Sequence, residues 1–391
     1  MSQRARLAAL FGVLAALVVV AVIVAIAARP AAVLAEPSTE IAVTAGTDGC
    51  GHGWADDGRA AGGTVSFDVS NTTIAGIEVY LQAVDTQKVY LDLEGIGAGA
   101  HAHARVTLGA GRYRFVCLPA DADPAHGPTV HVGSAPPGTA LTPGIVPVTR
   151  IDLIPPAQAY GAWVSSRLPA LRQQVAAVAA DAEEGDLPGA RRDWLTAHTT
   201  YETLGAAYDA FGDVGDAIDG LPGHGLTGFH AVEAPLFTGA AASAVVGPAQ
   251  QLVADVDALI AEFPKAQIDP GDIALRAHEI VEDAIRDVLA GAADAGSGTE
   301  LATIDANLTG ASEALAPLHD ILATRYPQLA ATQQSLASTQ QLVESFRGPD
   351  GTWTRLAALT TAQREHVDAA LSETAELLAP VAAICDPRRA P

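Results

Sequence analysis

The hydrophobic pattern of the chain changes from one type to another near Pro156. Between about Ile41 and Val132, glycine divides the sequence into short segments such as "GIEVYLQAV", in which apolar and polar residues alternate. Such alternation predicts an antiparallel β-sandwich of roughly 90–100 residues. After Pro156, alanine and leucine recur with a period near 3.6 residues, which predicts an antiparallel helical bundle. The chain therefore has to fold as a β domain followed by an all-α domain.

Composition places the boundaries of these domains. We expect the β-sandwich at residues 38–135, a semi-rigid proline-rich linker at 136–156 and the helical bundle at 157–386. Within the bundle, the periodicity predicts helices at about 157–182, 188–211, 228–237, 248–263, 270–290, 300–325, 327–346 and 352–384.

Residues 1–35 predict a signal anchor or a cleaved signal peptide. After Arg4 and Arg6, the segment Leu7–Ala28 contains no charge and no proline, and it is long enough to cross a bilayer as a helix. The arginines ahead of it favour a cytoplasmic N-terminus. We therefore expect an extracytoplasmic protein that is tethered to the membrane by this helix or secreted through it.

The balance of charge limits the partners. The chain has 45 acidic and 22 basic residues, a formal net charge of -23. Such a surface argues against nucleic acid and against an anionic membrane surface as partners. Cations are its natural small partners, although acidity also serves solubility alone.

The chain has three cysteines, Cys50, Cys117 and Cys385. Outside the cytoplasm, Cys50 and Cys117 are expected to form a disulfide that closes most of the first domain, while Cys385 has no evident partner. If the two thiols stay reduced, they and the strand residues Glu78 and Glu94 form a candidate second metal site instead.

A blue-copper site is not expected in the first domain. Such a site needs a histidine close after its cysteine and usually an axial methionine. The nearest histidine after Cys117 is His126, and the only methionine is Met1.

Three predicted helices each carry a histidine and a glutamate on one face. The pairs are His198 with Glu202, His230 with Glu233, and His278 with Glu282. Facing helices of a bundle are where histidine–carboxylate metal sites are commonly built. The alternative is that these pairs are hydrogen-bonded core histidines or solvated helix pairs.

Between the first two pairs, "FGDVGDAIDG" places Asp213, Asp216 and Asp219 three residues apart. Their carboxylates could supply hard oxygen ligands, which suit iron, calcium or manganese. The alternative is a turn rich in capping residues. Neither zinc-peptidase motif is present around His230. H-E-x-x-H needs a glutamate where Ala231 stands, and H-x-x-E-H needs a histidine where Ala234 stands.

"GFHAVEAPLF" resembles the G-x-H-x-x-E signature of the imelysin-like family. The stretches "AHTTYETLGAAYDAFGDVGDAIDG", "RAHEIVEDAIRD" and "GSGTELATIDANLTG" are similar to those around it in the EfeO branch, the periplasmic components of bacterial iron uptake. The resemblance implies a cupredoxin-like β-sandwich followed by an imelysin-like bundle. It also implies an iron permease and a haem peroxidase as partners.

The resemblance further implies which residues bind metal. In the helical domain they are Glu202, Asp219, His230, Glu233 and Glu282, with His198 as a further histidine; in the sandwich they are Cys50, Glu78, Glu94 and Cys117. One departure is Gly205, where some relatives have a second acidic residue. The implied ion is iron, ferrous or ferric, with zinc and copper as alternatives.

Together these features predict an extracytoplasmic iron-binding protein that delivers its ion to a membrane permease and is not an enzyme. One alternative is a metal-dependent hydrolase with Glu233 or Glu202 as general base. A second is a structural or adhesion module without a specific metal.

Overall fold

The computed structural model describes residues 40–46, 49–220 and 225–389. The predicted signal or anchor segment lies outside these residues. The chain divides into two compact units, one formed by residues up to 84 together with 91–142, the other by 85–90 together with 143–391. The described part of the chain is a β-sheet region followed by a helical domain, which confirms the predicted fold class.

The β region contains two sheets. One has three strands in the order β1-β3-β6, and the other has the order β2-β9-β7-β4-β5, with β8 paired to β7. The strands are Ile41–Ala45 (β1), Arg59–Ala60 (β2), Gly63–Asn71 (β3), Ile77–Ala83 (β4), Val89–Ile96 (β5), His101–Leu108 (β6), Gly111–Pro119 (β7), Ala125–His126 (β8) and Val130–Val132 (β9).

The sheets are mixed rather than purely antiparallel. β1 pairs with β3 in parallel, with Ile41 opposite Phe67, and β2 pairs with β9 in parallel. Side chains alternate between the two faces of any strand, whichever way its neighbour runs. The sequence pattern therefore predicts the strands but does not give the direction of their partners.

Aromatic side chains join the two sheets. Phe67 on β3 and Phe115 on β7 pack edge to face with ring centroids 5.2 Å apart, and Trp54 packs against both rings. All three side chains are buried. Beside them, Cys50 and Cys117 form a disulfide.

Reduction of this disulfide is expected to destabilise the β region strongly. The bond closes a loop between residues 67 positions apart in the sequence, and the chain-entropy estimate for such a loop is about 4 kcal/mol. We expect the strand signal in circular dichroism to melt at a markedly lower temperature in reductant. A melt unchanged by complete reduction, verified by thiol counting, would contradict this expectation.

The described part of the helical domain is made of α-helices. They are Arg150–Glu184 (α1), Leu187–Glu202 (α2), Tyr208–Phe211 (α3), Asp213–Ile218 (α4), Gly228–Phe237 (α5), Ala242–Glu262 (α6), Asp272–Asp283 (α7), Glu300–Leu315 (α8), His319–Ala323 (α9), Leu329–Glu344 (α10) and Thr361–Cys385 (α11). A π-helical turn, Ala284–Val288, extends α7. Short 3₁₀ turns occupy Gly205–Ala207, Phe263–Lys265, Ala316–Leu318 and Leu356–Ala358.

Local signals explain where the helices differ from the predicted bounds. α1 begins seven residues early, because Thr149 forms a capping box with Asp152 ahead of the prolines. α11 begins late, because Thr360 forms such a box with Gln363. The predicted helix 300–325 ends its regular part at Leu315, shortly before Pro317. α5 has the predicted bounds.

One helix in the described part of the chain, Ala242–Lys265, is long and apolar enough to cross a membrane. Val245, Ala249, Leu252 and Val256 form its buried stripe, and they belong to the hydrophobic core of the helical domain. Core helices commonly have this length and composition, and we assign the segment to the core.

Candidate metal centre

A cavity of about 180 Å³ lies among α2, α5, α7 and α8. Its wall carries one guanidinium, that of Arg276, which is paired with Asp209 and Glu279. The same wall carries seven carboxylates, those of Glu202, Asp219, Glu233, Asp283, Asp287, Asp294 and Glu300. Such an excess of negative charge in a confined space favours a cation.

α2 holds the first histidine of the cavity in one orientation. The His198 ring stacks on Trp194 with centroids 4.7 Å apart. The Trp194 indole N–H in turn donates to the carbonyl of Phe229 at 3.0 Å, which ties α2 to α5. Both side chains on α2 are buried, so the imidazole is presented from a rigid wall.

A close backbone approach brings Asp219 to the start of α5. Asp219 follows α4 directly, and Gly228 opens α5 with φ +49°. A Cβ at Gly228 would lie 1.8 Å from the carbonyl oxygen of Ile218. Only glycine allows this contact, and it places Asp219 Oδ1 3.3 Å from His230 Nε2.

Glu233 orients the second histidine. Its Oε2 atom lies 2.8 Å from His230 Nδ1. Its Oε1 atom accepts hydrogen bonds from the backbone N–H groups of Ala295, at 3.1 Å, and Ser297, at 2.9 Å. Both oxygens are therefore engaged, and the free edge of the imidazole, Nε2, faces Asp219. This is the arrangement by which carboxylates commonly position metal-binding histidines.

The loop that binds Glu233 is itself fixed by an aspartate. Asp294 accepts hydrogen bonds from the backbone N–H groups of Gly296, at 3.1 Å, and Gly298, at 2.7 Å, and from the hydroxyl of Ser297, at 2.9 Å. The two glycines adopt positive φ angles. The loop thereby points its N–H groups at Glu233.

Opposite charges set the protonation of the pair. Burial lowers the pKa of His230, but Asp219 and Glu233 outweigh this effect and raise it to about 10. Burial raises the pKa of Glu233, but hydrogen bonds from His230 and Ser297 outweigh this and lower it to about 2. Near neutral pH the pair is an imidazolium and a carboxylate, so an ion that binds at Nε2 has to displace a proton.

Three polar atoms at the cavity lack hydrogen-bond partners. They are Nδ1 and Nε2 of His198 and Oδ1 of Asp219. His198 Nε2 lies 3.2 Å from Glu202 Oε1, and Asp219 Oδ1 lies 3.3 Å from His230 Nε2, but neither contact has the direction of a hydrogen bond. Buried polar atoms are nearly always satisfied. One ring nitrogen of neutral His198 carries a lone pair, as Asp219 Oδ1 does. These two residues are therefore suited to a ligand that accepts lone pairs, such as a metal ion.

His198, Asp219 and His230 form a compact group of metal-binding side chains, called the ligand group below. Ligand atoms of His198, Asp219 and His230 all lie within 4.8 Å of one another, and among the described residues they are the one group of three metal-binding side chains this close. Two imidazoles and one carboxylate with open positions suit a non-haem ferrous ion. The residues present therefore fit an iron ion.

Glu202 adds a fourth side chain beside this group. Its Oε2 atom accepts a hydrogen bond from the Asn307 amide at 2.7 Å, which leaves Oε1 near His198. α8 can approach α2 this closely because of Gly310, whose Cβ would lie 2.7 Å from the carbonyl of Thr203.

The structure does not bring Glu282 to the cavity. Ile280 and Asp283 line it, but Glu282 points to another side of the helix, with a side chain 53% exposed, and lines a separate depression with Arg286 and Glu376. Its neighbour His278 lies 3.1 Å from the carbonyl of Ala375 on α11. The predicted inward orientation of this third pair is therefore corrected. A spacing of four residues puts two side chains on one face, but it does not say which face is buried.

The aspartate-rich turn contributes only its last member. Asp219 lines the cavity, whereas Asp213 and Asp216 are exposed. Gly205 also lines the cavity, and a Cβ there would meet Ile280 at 3.0 Å. A second acidic side chain at this position would therefore need the Ile280 side chain to move by a few tenths of an ångström.

Several cavity residues were missed by the sequence analysis. They are Arg276, Asp283, Asp287, Asp294, Glu300 and Asn307. The one available signal was the acidic pair Asp283 and Asp287, four residues apart in "EDAIRD". Burial raises the pKa of Asp283 and of Glu300, and the charges of Asp287 and Asp294, respectively, add to this. The cavity is thus strongly electronegative beyond the ligand group.

The first domain shows the disulfide, not the alternative thiolate site. Because Cys50 and Cys117 are bonded to each other, neither offers a thiolate to a metal. Glu78 accepts a hydrogen bond from the Tyr80 hydroxyl, and Glu94 is exposed on β5.

Comparison with known proteins identifies the helical domain. No curated protein matches the sequence of this chain. The family profile described as imelysin, peptidase M75, matches residues 156–381, which is more than half of the chain and includes the whole cavity. The chain therefore belongs to the imelysin family.

Proposed function

We propose that the chain is an extracytoplasmic iron-binding protein of an EfeUOB-type uptake system. It would capture ferrous or ferric iron and deliver it to a membrane permease, with a haem peroxidase as second partner. The observation that carries this proposal is the group formed by His198, Asp219 and His230, with unsatisfied buried atoms facing an electronegative cavity. Iron is here the cargo, and the proposed chemistry is binding rather than turnover.

Three further facts support the proposal. The chain belongs to the imelysin family, and its motifs resemble those of the EfeO branch. The Cys50–Cys117 disulfide fits an oxidising, extracytoplasmic compartment. The donor set of two imidazoles and carboxylates suits ferrous iron better than it suits hard cations that prefer oxygen alone.

Radioactive iron uptake by cells that carry the chain tests the function. Cells with His198→Ala are expected to accumulate iron at the background rate when iron is limiting. Cells with His278→Ala provide the matched control, because His278 also has a glutamate four residues on but lies outside the cavity. Equal uptake by the two variants and the native chain would contradict the proposal. Turnover of a peptide by the purified iron- or zinc-loaded protein would support the hydrolase instead.

Metal binding is expected to release protons. With the pKa of His230 raised to about 10, its imidazole carries an additional proton at pH 7, and ion and proton compete for Nε2. Affinity should therefore rise between pH 6 and 9, by about tenfold per pH unit for one proton. Calorimetric titration in two buffers of different ionisation enthalpy measures the release directly. Identical heats in both buffers would show that His230 loses no proton.

A further inference from the structure

The cavity that contains the ligand group is graded from buried to exposed. The side chains of His198 and His230 are 5% and 4% exposed. Those of Asp283 and Asp287, which line the same cavity, are 47% and 30% exposed. The two aspartates therefore lie at a mouth of the cavity and the histidines at its inner end. Neither ring nitrogen of the buried His198 has a hydrogen-bond partner, so this inner end is suited to a ligand.

A π-helical turn places the two aspartates on the cavity wall. Asp283 ends α7, and Asp287 lies within the turn Ala284–Val288. The N–H group of Leu289 donates to the carbonyl of Ala284, five residues earlier, at 2.8 Å. Such single wide turns are frequent at functional sites. Here the turn carries a pair of carboxylates, four residues apart, at the mouth of the cavity.

One surface guanidinium pairs with both aspartates. Arg286 Nη2 lies 2.7 Å from Asp283 Oδ1 and 2.7 Å from Asp287 Oδ2. The Arg286 side chain is exposed and lines the depression outside the cavity, together with Glu282 and Glu376. Exposed ion pairs of this kind contribute little to stability. Their charges still act on an ion nearby, and the guanidinium cancels part of the negative charge that an approaching cation meets.

We propose that Asp283 and Asp287 form the entrance through which iron reaches the ligand group, and that Arg286 slows its entry. Fixed charges beside a path change the rate at which an ion associates, because they attract or repel it before it binds. Here the two carboxylates raise the concentration of cations at the mouth, and the guanidinium opposes them. The inference rests on the proposed function, since it concerns iron on its way to the ligand group.

The entrance and the ligand group are separate sets of side chains. Among the described residues, His198, Asp219 and His230 are the one group of three metal-binding side chains whose ligand atoms lie within 4.8 Å of one another. The two aspartates at the mouth are thus not expected to hold the ion at equilibrium. Removing their charge should change the rate of binding by a larger factor than the affinity.

Anaerobic stopped-flow mixing of the full chain with Fe²⁺ tests the proposal. The Trp194 indole stacks on His198, so its fluorescence reports the arrival of the ion. Asp283→Asn/Asp287→Asn keeps the shape of both side chains. This double variant should lower the association rate constant about tenfold at low ionic strength, at the lower end of the range for electrostatic steering. The difference should largely disappear at about 1 M salt, where exposed charges are screened beyond about 3 Å.

Arg286→Gln should change the rate in the opposite direction and raise the association rate constant several-fold. A variant that only disturbed the fold would not speed association. Asp257→Asn is the matched control. Asp257 on α6 is also exposed and pairs with an arginine, Arg172, at 2.6 Å, but it lies outside the cavity lining. This control should associate with iron at the native rate.

Equal association rate constants in Asp257→Asn and in the double variant would overturn the proposal, because only the total charge would then matter. Association in Arg286→Gln that is no faster than in the native chain would overturn it as well. Calorimetry separates these results from a failure of the proposed function. If His198→Ala binds Fe²⁺ as tightly as the native chain does, the proposed function fails and this inference fails with it. If His198→Ala loses binding while the rates stay equal, only the entrance is wrong.

Discussion

Replacing His230 with alanine is expected to lower the affinity of the purified chain for iron by more than about 100-fold. Replacing a residue that only orients a metal ligand already lowers metal affinity by about 10–100-fold. The variant removes a proposed ligand and leaves Asp219 and Glu233 without the imidazole that bridges them. The buried carboxylate of Glu233 and the half-buried carboxylate of Asp219 then lose the charge that compensates them. Anaerobic calorimetry with Fe²⁺ measures the loss.

The matched variant in this titration is His278→Ala. It removes an imidazole from a helix of the same domain, but one that contacts the carbonyl of Ala375 instead of the cavity. We expect an affinity within about threefold of the native value, a difference of less than 1 kcal/mol. Equal losses in both variants would mean that the effect is one of folding and not of ligation.

The second large effect is expected at Gly228. Alanine there places a Cβ 1.8 Å from the carbonyl oxygen of Ile218, at a φ of +49°. The position of a Cβ is fixed by its own backbone, and the atom that it would meet is a backbone oxygen, so no side-chain rotation relieves the clash. We expect a destabilisation of more than about 3 kcal/mol, in the range that only a named structural defect produces, together with loss of iron binding. Chemical denaturation followed by helical circular dichroism measures the first.

Gly239→Ala separates the clash from the backbone conformation. Gly239 follows the other end of the same helix, with φ +86° and nothing within 4 Å of a Cβ. A left-handed alanine alone costs about 1–2 kcal/mol. If Gly228→Ala were no more destabilising than Gly239→Ala, the close approach of Ile218 to α5 would not be what positions Asp219.

The contrast between the pairs on α2, α5 and α7 shows how far sequence reasoning reaches. Spacing alone places His198 with Glu202 and His230 with Glu233 on one helix face each, and the structure brings all four to one cavity. The same spacing places Glu282 with His278, but this face of α7 lies against α11. Helical periodicity fixes relative directions on a helix, and only tertiary packing decides which direction is inward.

The supporting contacts could not be predicted because they join distant segments. Asn307 binds Glu202 across 105 residues, and the N–H group of Ser297 binds Glu233 across 64. Neither contact has a local sequence signal. The positive φ angles that aim the loop are likewise visible only as a glycine-rich stretch, "DAGSGT". What the sequence does contain is the residue types that such a loop requires.

The strands of the β region could be predicted because alternation is a local signal. Their pairing could not, because it joins segments that are distant in the sequence. Alternation gave strands such as Ile77–Ala83 and Gly111–Pro119, and the pairing of Cys50 with Cys117 follows from compartment and number. The parallel pairing of β1 with β3 depends on the path of the chain between them.

The most direct test of the central claim is an iron-edge anomalous diffraction map of crystals of the full chain grown with Fe²⁺. The account predicts one strong peak in the cavity, at coordination distance from imidazole nitrogens of His198 and His230 and from a carboxylate oxygen of Asp219. Such a peak would establish the ligand group and show whether Glu202 joins it. A peak elsewhere in the molecule, or none at an iron concentration that saturates binding in solution, would contradict the account.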